Sequence, residues 1–234
     1  MIFQYAINVK DIHLDMLKPF CGILSREKLR RIERYRFEAD KVRCFVGELM
    51  LRFIVTRDYA IAQDDIGIDV SDTGKPFFTG AAAHIFFNIS HSQDLVVCAV
   101  GESPVGIDVE HVRDKEANLA SYVLSKYEYS QWIGLPENIR NFEFYRYWTI
   151  KESYSKFVGQ GLGIQFSGIT AEKADHDLWK IMQDANCIIL SQKLTEKDYL
   201  AVCIEAGSEN LLERQVKYLS IDDILKNTDC SQFY

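Results

Sequence analysis

At 234 residues the chain can hold one large domain or two small ones, each with a proper core. With 47% hydrophobic and 26% charged residues it has the make-up of an ordinary soluble globular protein. No apolar run reaches membrane-spanning length, and Met1-Ile2-Phe3-Gln4 lacks the basic region and apolar core of a secretory signal. A cytoplasmic protein without membrane contact is the expectation. A net charge of −7 speaks against generic nucleic-acid binding while leaving room for a local basic patch. The 6 cysteines include no C-x-x-C pair, and Cys98, Cys187 and Cys203 sit in apolar runs, as reduced core thiols do. The 5 histidines show no metal-ligand spacing.

In chain order, residues 2–9 read as a strand, and Ser25 is placed to cap a short helix. That helix carries Arg26, Lys28, Arg30, Arg31, Arg34 and Arg36 against Glu27 and Glu33, either as a solvated face or as a phosphate-binding patch. A longer helix spans about 40–59. Val42, Phe45, Val46, Leu49, Met50, Phe53 and Ile54 form its core-facing stripe, and Arg43 lies beside it. Strands follow at 66–70, 85–89 and 95–101. Thr73-Gly74-Lys75-Pro76 is a turn between the first two, and Asn88-Ile89-Ser90-His91-Ser92 closes the second.

Pro104 precedes Gly106-Ile107-Asp108-Val109-Glu110, whose alternation puts Ile107 and Val109 on one strand face and both carboxylates on the other. Two acids side by side repel unless water surrounds them or a cation lies between them. The pentapeptide is therefore either a half-exposed edge strand or a pair of ligands for a hard divalent metal.

Beyond it come a helical region at 118–124, a helix entering at Ser125 with the capping-box form Ser125-Lys126-Tyr127-Glu128, and a long helix over about 138–158 closed by Gly159. Strands fit 168–171, 178–182, 187–194 and 199–204, and a short strand at 218–221 with a last helical turn fits the end. Each half thus runs strand, short helix, long helix, antiparallel strands. This predicts an α+β pseudo-dimer of two similar halves, 1–103 and 104–207, with a tail at 208–234. The carboxylate strand opens the second half beside the join, where sites often form.

On the long helix, Trp148, Glu152 and Lys156 share one face. Alone they are a surface Glu–Lys pair anchored by a core Trp. With Asp108 and Glu110, Glu152 supplies a third carboxylate for Mg²⁺, and Lys156 a cation for a phosphate oxygen.

Gly106-Ile107-Asp108-Val109-Glu110 followed by Trp148-x-x-Lys151-Glu152-Ser153-x-x-Lys156 resembles the signature pair of the 4′-phosphopantetheinyl transferase superfamily. The upstream Thr73-Gly74-Lys75-Pro76 and Asn88-Ile89-Ser90-His91-Ser92 resemble its larger, surfactin-synthetase-activating branch. The resemblance covers residues from about 25 to 205 in order and spacing, and four ordered motifs make it specific.

It implies an enzyme that moves the phosphopantetheine arm of coenzyme A onto a serine of an apo acyl or peptidyl carrier protein and releases 3′,5′-ADP. Coenzyme A would lie between the halves of a monomer. By the same resemblance Asp108, Glu110 and Glu152 would hold Mg²⁺, and His91 and Lys156 would contact the pyrophosphate. Lys75 would lie along the adenine end, and Lys28, Arg31, Arg43 and Ser90 would bind the nucleotide and its 3′-phosphate. The base that takes the serine proton would be Glu152, a metal-bound water or Glu128, the last having its capping-box alternative. The chain departs from many relatives in carrying Asp72-Thr73 where they place an aromatic residue before Gly-Lys-Pro. Docking of an acidic carrier falls to the basic Arg26–Arg36 face or to apolar residues near Leu119, Tyr122 and Val123. Two other readings use the same residues: a Mg²⁺-dependent hydrolase of nucleotide pyrophosphates, and a carrier-binding module without catalysis.

Overall fold

A strand written Leu95-Val96-Val97-Cys98-Ala99-Val100 has no polar position to turn toward water, so both of its faces must be covered. The computed structural model describes residues 1–113, 119–160 and 163–228. In it this strand, β5 (Leu95–Gly101), is buried along its whole length. Its neighbours are β1 (Ile2–Asn8) and β4 (Phe86–Ser92), both antiparallel to it, with Cys98 opposite Tyr5 on one side and Ile89 on the other. A fourth strand, β11 (Leu212–Tyr218), pairs parallel to β1, giving the order β11-β1-β5-β4. A second sheet holds β6 (Val105–His111), β7 (Ala171–Lys173), β8 (Leu178–Ile181), β9 (Asp184–Lys193) and β10 (Asp198–Glu205). It is antiparallel throughout, in the order β6-β10-β9-β8-β7.

Strand alternation sorts the side chains into layers. Ile2 and Ala6 of β1, Val97 and Ala99 of β5, Ile107 and Val109 of β6, and Val202 of β10 form a core between the two sheets. Tyr5, Ile7, Val96 and Cys98 point away from it and pack with the long helix α3 (Glu38–Tyr59). On the far side, Ala201, Cys203 and Ile189 pack against Ile150 of the second long helix, α6 (Glu137–Val158). The order is helix, sheet, sheet, helix, with each half a long helix on a mainly antiparallel sheet, as the element order predicts.

Local signals set several boundaries. The Ser25 hydroxyl accepts from Lys28 N at the start of α2 (Arg26–Glu33). Both bonds of the Ser125–Glu128 capping box are present at the start of α5 (Lys126–Ile133). Gly159 ends α6 in the left-handed region at φ 73°. The remaining α-helices among the described residues are α1 (Leu14–Leu17), α4 (Ala120–Val123) and α7 (Ile221–Lys226).

The structure differs from the sequence reading in several places. The Gly74 turn joins β2 (Ile66–Val70) to an additional strand, β3 (Pro76–Gly80), in a separate two-stranded hairpin. The Asn88–Ser92 motif is not a turn closing a strand but the body of β4, which runs on to Ser92. The terminal strand is Leu212–Tyr218, earlier than 218–221. Helix α3 is buried on more than one stripe. Glu48 and Arg52 are inside too, because Lys28 of α2 pairs with Glu48 (3.3 Å) and Arg52 donates to Ile66 O of the hairpin (3.1 Å). Residue 118, Cys230 and the rest of 229–234 lie outside the described residues.

Candidate active site

β6 and β4 are edge strands of different sheets, and an edge leaves backbone groups that need partners. Side chains of β4 supply them across the seam. Asn88 Oδ1 accepts from Ile107 N (3.0 Å), and Ser92 Oγ accepts from His111 N (3.1 Å) and donates to Glu110 (2.8 Å). Ser90 Oγ donates to Asp108 Oδ1 (2.7 Å). Three alternate residues of β4 thus hold β6 at 107, 108, 110 and 111, and with it both carboxylates.

Helix α6 closes the seam from the other side. It lies so near β6 that a Cβ on Gly106 would stand 2.1 Å from Ser153 O and 2.5 Å from Phe157 N. No side chain fits there. One turn beyond that contact, Lys156 Nζ reaches Asp108 Oδ1 (2.6 Å) and Ser90 Oγ (2.9 Å). Asp108 is only 4% exposed, and its second oxygen, Oδ2, is buried without a hydrogen-bond partner. Glu110 is pushed up to about 7, first by burial and then by the neighbouring Asp108 charge. Burial and Asp108 also raise Glu152, against the pull of Lys156. Glu110 and Glu152 therefore each feel the charge of Asp108. As they stand, no group of three or more His, Cys, Asp or Glu among the described residues is gathered closely enough to hold a metal ion.

Alternation separates Ser90 from His91. Ser90 faces Asp108, while His91 projects on the α3 side of β4 and is exposed. Surrounding protein atoms, then the Arg43 charge, then the Lys156 charge hold its imidazole below the ordinary histidine value. Arg43 donates to Gln93 O just past β4 (2.7 Å) and pairs with Asp40 (2.5 Å). Lys28 is engaged with Glu48, and Arg31 is exposed on α2. Lys75 spans from the β2–β3 turn to the end of α6, donating to Lys156 O (2.6 Å) and Phe157 O (3.3 Å). Beside it opens a cleft of about 530 Å³ between the halves, lined by Lys75, Phe77, Phe86, Pro104, Val158 and Gly159 among others.

Glu128 is corrected from a candidate base to a structural residue. It is 0% exposed. One oxygen accepts from Ala171 N (2.6 Å), and the other accepts from Ser125 N (2.6 Å) and from Lys151 Nζ (2.5 Å). Lys151 also donates to the carbonyls of Val123 (2.8 Å), Phe166 (2.9 Å) and Ile169 (2.9 Å). The pair fastens α4, α5, α6 and the entry to β7 together, and no face of it is open to a substrate. Sequence reasoning passed over Asn88 and Ser92 as site residues. Their i±2 spacing from Ser90 is the signal that would have found them once the motif is read as strand.

The seam of the two α+β halves thus brings together a lysine, Asp108 and the two carboxylates that feel its charge, with Arg43 acting on His91 close by, a charged cleft of the kind found in enzymes that handle phosphate groups. Comparison with known proteins narrows that class. Residues 104–203 match the 4′-phosphopantetheinyl transferase superfamily, and residues 15–103 match the 4′-phosphopantetheinyl transferase N-terminal family. The chain is 31% identical over 193 residues to 4′-phosphopantetheinyl transferase psf-1 of Bacillus pumilus, covering 81% of each chain. It is 34% identical over 173 residues to 4′-phosphopantetheinyl transferase gsp of Aneurinibacillus migulanus, covering 74% of this chain and 71% of that one. The L-aminoadipate-semialdehyde dehydrogenase-phosphopantetheinyl transferase of Mus musculus is 27% identical over 211 residues, covering 77% and 67%. The chain belongs to the 4′-phosphopantetheinyl transferase superfamily.

Proposed function

We propose that this protein transfers the 4′-phosphopantetheine arm of coenzyme A to a serine of an apo acyl or peptidyl carrier protein, releasing 3′,5′-ADP. The observation that carries the reading is the Ser90–Asp108–Lys156 cluster, which joins the Asn88–Ser92 motif of the first half to the two superfamily motifs of the second. Coenzyme A lies across the join of 1–103 and 104–207, with its adenine end at the cleft beside Lys75. Arg43 takes the nucleotide's 3′-phosphate, with Lys28, Arg31 and Ser90 contributing on the same half. His91 and Lys156 face the pyrophosphate. The protein acts as a cytoplasmic monomer, without nucleic acid or membrane. In the described residues no helix is long and apolar enough to cross a membrane.

The donor set fits Mg²⁺. Asp108 Oδ2 is a buried oxygen with no partner, and Glu110 and Glu152 are raised first by burial and then by the Asp108 charge, which a cation would offset. Asp108, Glu110 and Glu152 would hold the ion, and Lys156 would yield its place on Asp108 to reach a phosphate oxygen. Bound Mg²⁺ would supply charge neutralisation on the pyrophosphate. The chain's own residues do the rest. Ser90 and Ser92 orient the carboxylates, Lys156 offsets charge on the departing nucleotide, and half-exposed Glu152 takes the proton of the incoming carrier serine. The nucleophile comes from the carrier, so no Ser-His-Asp arrangement is called for.

Incubation with apo carrier protein, coenzyme A and Mg²⁺ tests this by the mass of the carrier. A carrier that gains one phosphopantetheine supports the reading. Carriers left unmodified across several types overturn it, and coenzyme A cleaved without carrier favours a pyrophosphate hydrolase.

A further inference from the structure

Lys75 stands on the hairpin turn of the first half, yet its ammonium is spent on a helix of the second. The turn that presents it is internally fixed. Lys75 N donates to Ser71 Oγ (3.1 Å), Ser71 N donates to Lys75 O (2.9 Å), and Gly74 takes φ 85°. A helix leaves its last four carbonyls without intrahelical partners, and a cation there also meets the negative end of the helix dipole. In α6 the Ser155 carbonyl is closed by Gly159 N (3.0 Å). The next two, Lys156 O and Phe157 O, are closed by Lys75 from across the domain join.

The first of those carbonyls belongs to the residue whose side chain holds Asp108 and Ser90. Backbone and side chain of Lys156 are thus fixed from two directions, by the hairpin lysine and by the seam. We propose that Lys75 is a positioning residue for Lys156: it locks the last turn of α6 onto the first half. The kinetic arm of the test rests on the transferase reading; the exchange arm does not.

The first arm is a double-mutant cycle with Lys75→Met and Lys156→Met. The expected result is a loss in kcat/KM for coenzyme A of about tenfold from Lys75→Met alone, shrinking to less than about twofold when Lys156 is already Met. Lys75→Arg restores most of the activity. Equal factors in both backgrounds would show Lys75 acting on coenzyme A independently and would overturn the proposal.

The second arm is hydrogen exchange on the ligand-free protein. Amides of residues 155–159 should exchange at least about fivefold faster in Lys75→Met than in the native chain, with those of β10 unchanged. Unchanged exchange at 155–159 would overturn the locking role whatever reaction the enzyme catalyses. If Lys75→Met does not fold, Lys75→Gln, whose shorter amide reaches the carbonyls less well, carries both arms with smaller factors in the same order.

Discussion

The hydrogen at the Cα of Gly106 points at the carbonyl of Ser153, at a spot where a Cβ would be 2.1 Å from that oxygen. Backbone, not a flexible side chain, blocks the space, so α6 must shift for any larger residue. Gly106→Ala should cost about 1–3 kcal/mol or more. It should also displace Lys156 from Asp108, so activity falls further than stability does. Urea unfolding alongside a carrier-mass assay checks both.

Asp108 lies under Lys156 with one oxygen engaged and the other without a partner. Asp108→Ala should lower transfer by about a hundredfold or more while leaving the fold intact, because it removes one of the crowded carboxylates. Retained activity in a folded variant would show the metal assignment to be wrong.

Ser92 ties Glu110 to the other half of the molecule. Residues that orient a metal ligand typically contribute about 10–100-fold to affinity or activity. Ser92→Ala should therefore raise the Mg²⁺ concentration for half-maximal transfer by about tenfold, and isothermal titration with Mg²⁺ should show a matching loss in affinity.

Lys151 and Glu128 are both wholly buried, and breaking one partner of such a pair strands the other's charge. Lys151→Met should destabilise the protein by about 3–5 kcal/mol, and Glu128→Gln combined with Lys151→Met should be less harmful than Lys151→Met alone. Denaturant midpoints of the single and double variants measure the difference.

Alkaline pH should unfold the protein. Tyr59, Tyr147 and Tyr154 are pushed up to about 12, chiefly by burial, and Tyr5 and Tyr199 are raised as well. Unfolded tyrosines ionise near about 10. Below that value both states hold their protons and the contribution is complete. Between it and about 12 only the folded state holds them, so stability falls as pH rises. Absorbance at 295 nm should show a late-titrating group of tyrosines in native protein that merges with the rest in denaturant.

Elements with a local signature were legible in the sequence. The stripe of α3, the apolar run of β5, the Ser125 capping box and Gly159 each depend on residues within a few positions of one another. The carboxylate strand and the Glu152–Lys156 face were legible for the same reason. What escaped depends on distant partners. β11, Leu212-Glu213-Arg214-Gln215-Val216-Lys217-Tyr218, buries only Leu212 and is a strand because β1 offers it an edge. The split between Ser90 and His91 was hidden by ending that strand at residue 89. Glu128 met its fate through Lys151, a contact between positions 23 apart in the chain, which no local pattern announces.

β11 also bears on the order in which the molecule can be completed. Its partner β1 leaves the ribosome before β2 to β10, whereas β11 follows them all. Until it arrives, β1 keeps one side of its backbone unpaired, an open edge on a nascent chain. The first half therefore cannot finish ahead of the second in the usual N-to-C sequence of domain folding. The sheet that supplies Asn88, Ser90 and Ser92 to the seam is closed by a strand made after the whole of the second sheet, so both halves reach their final form together.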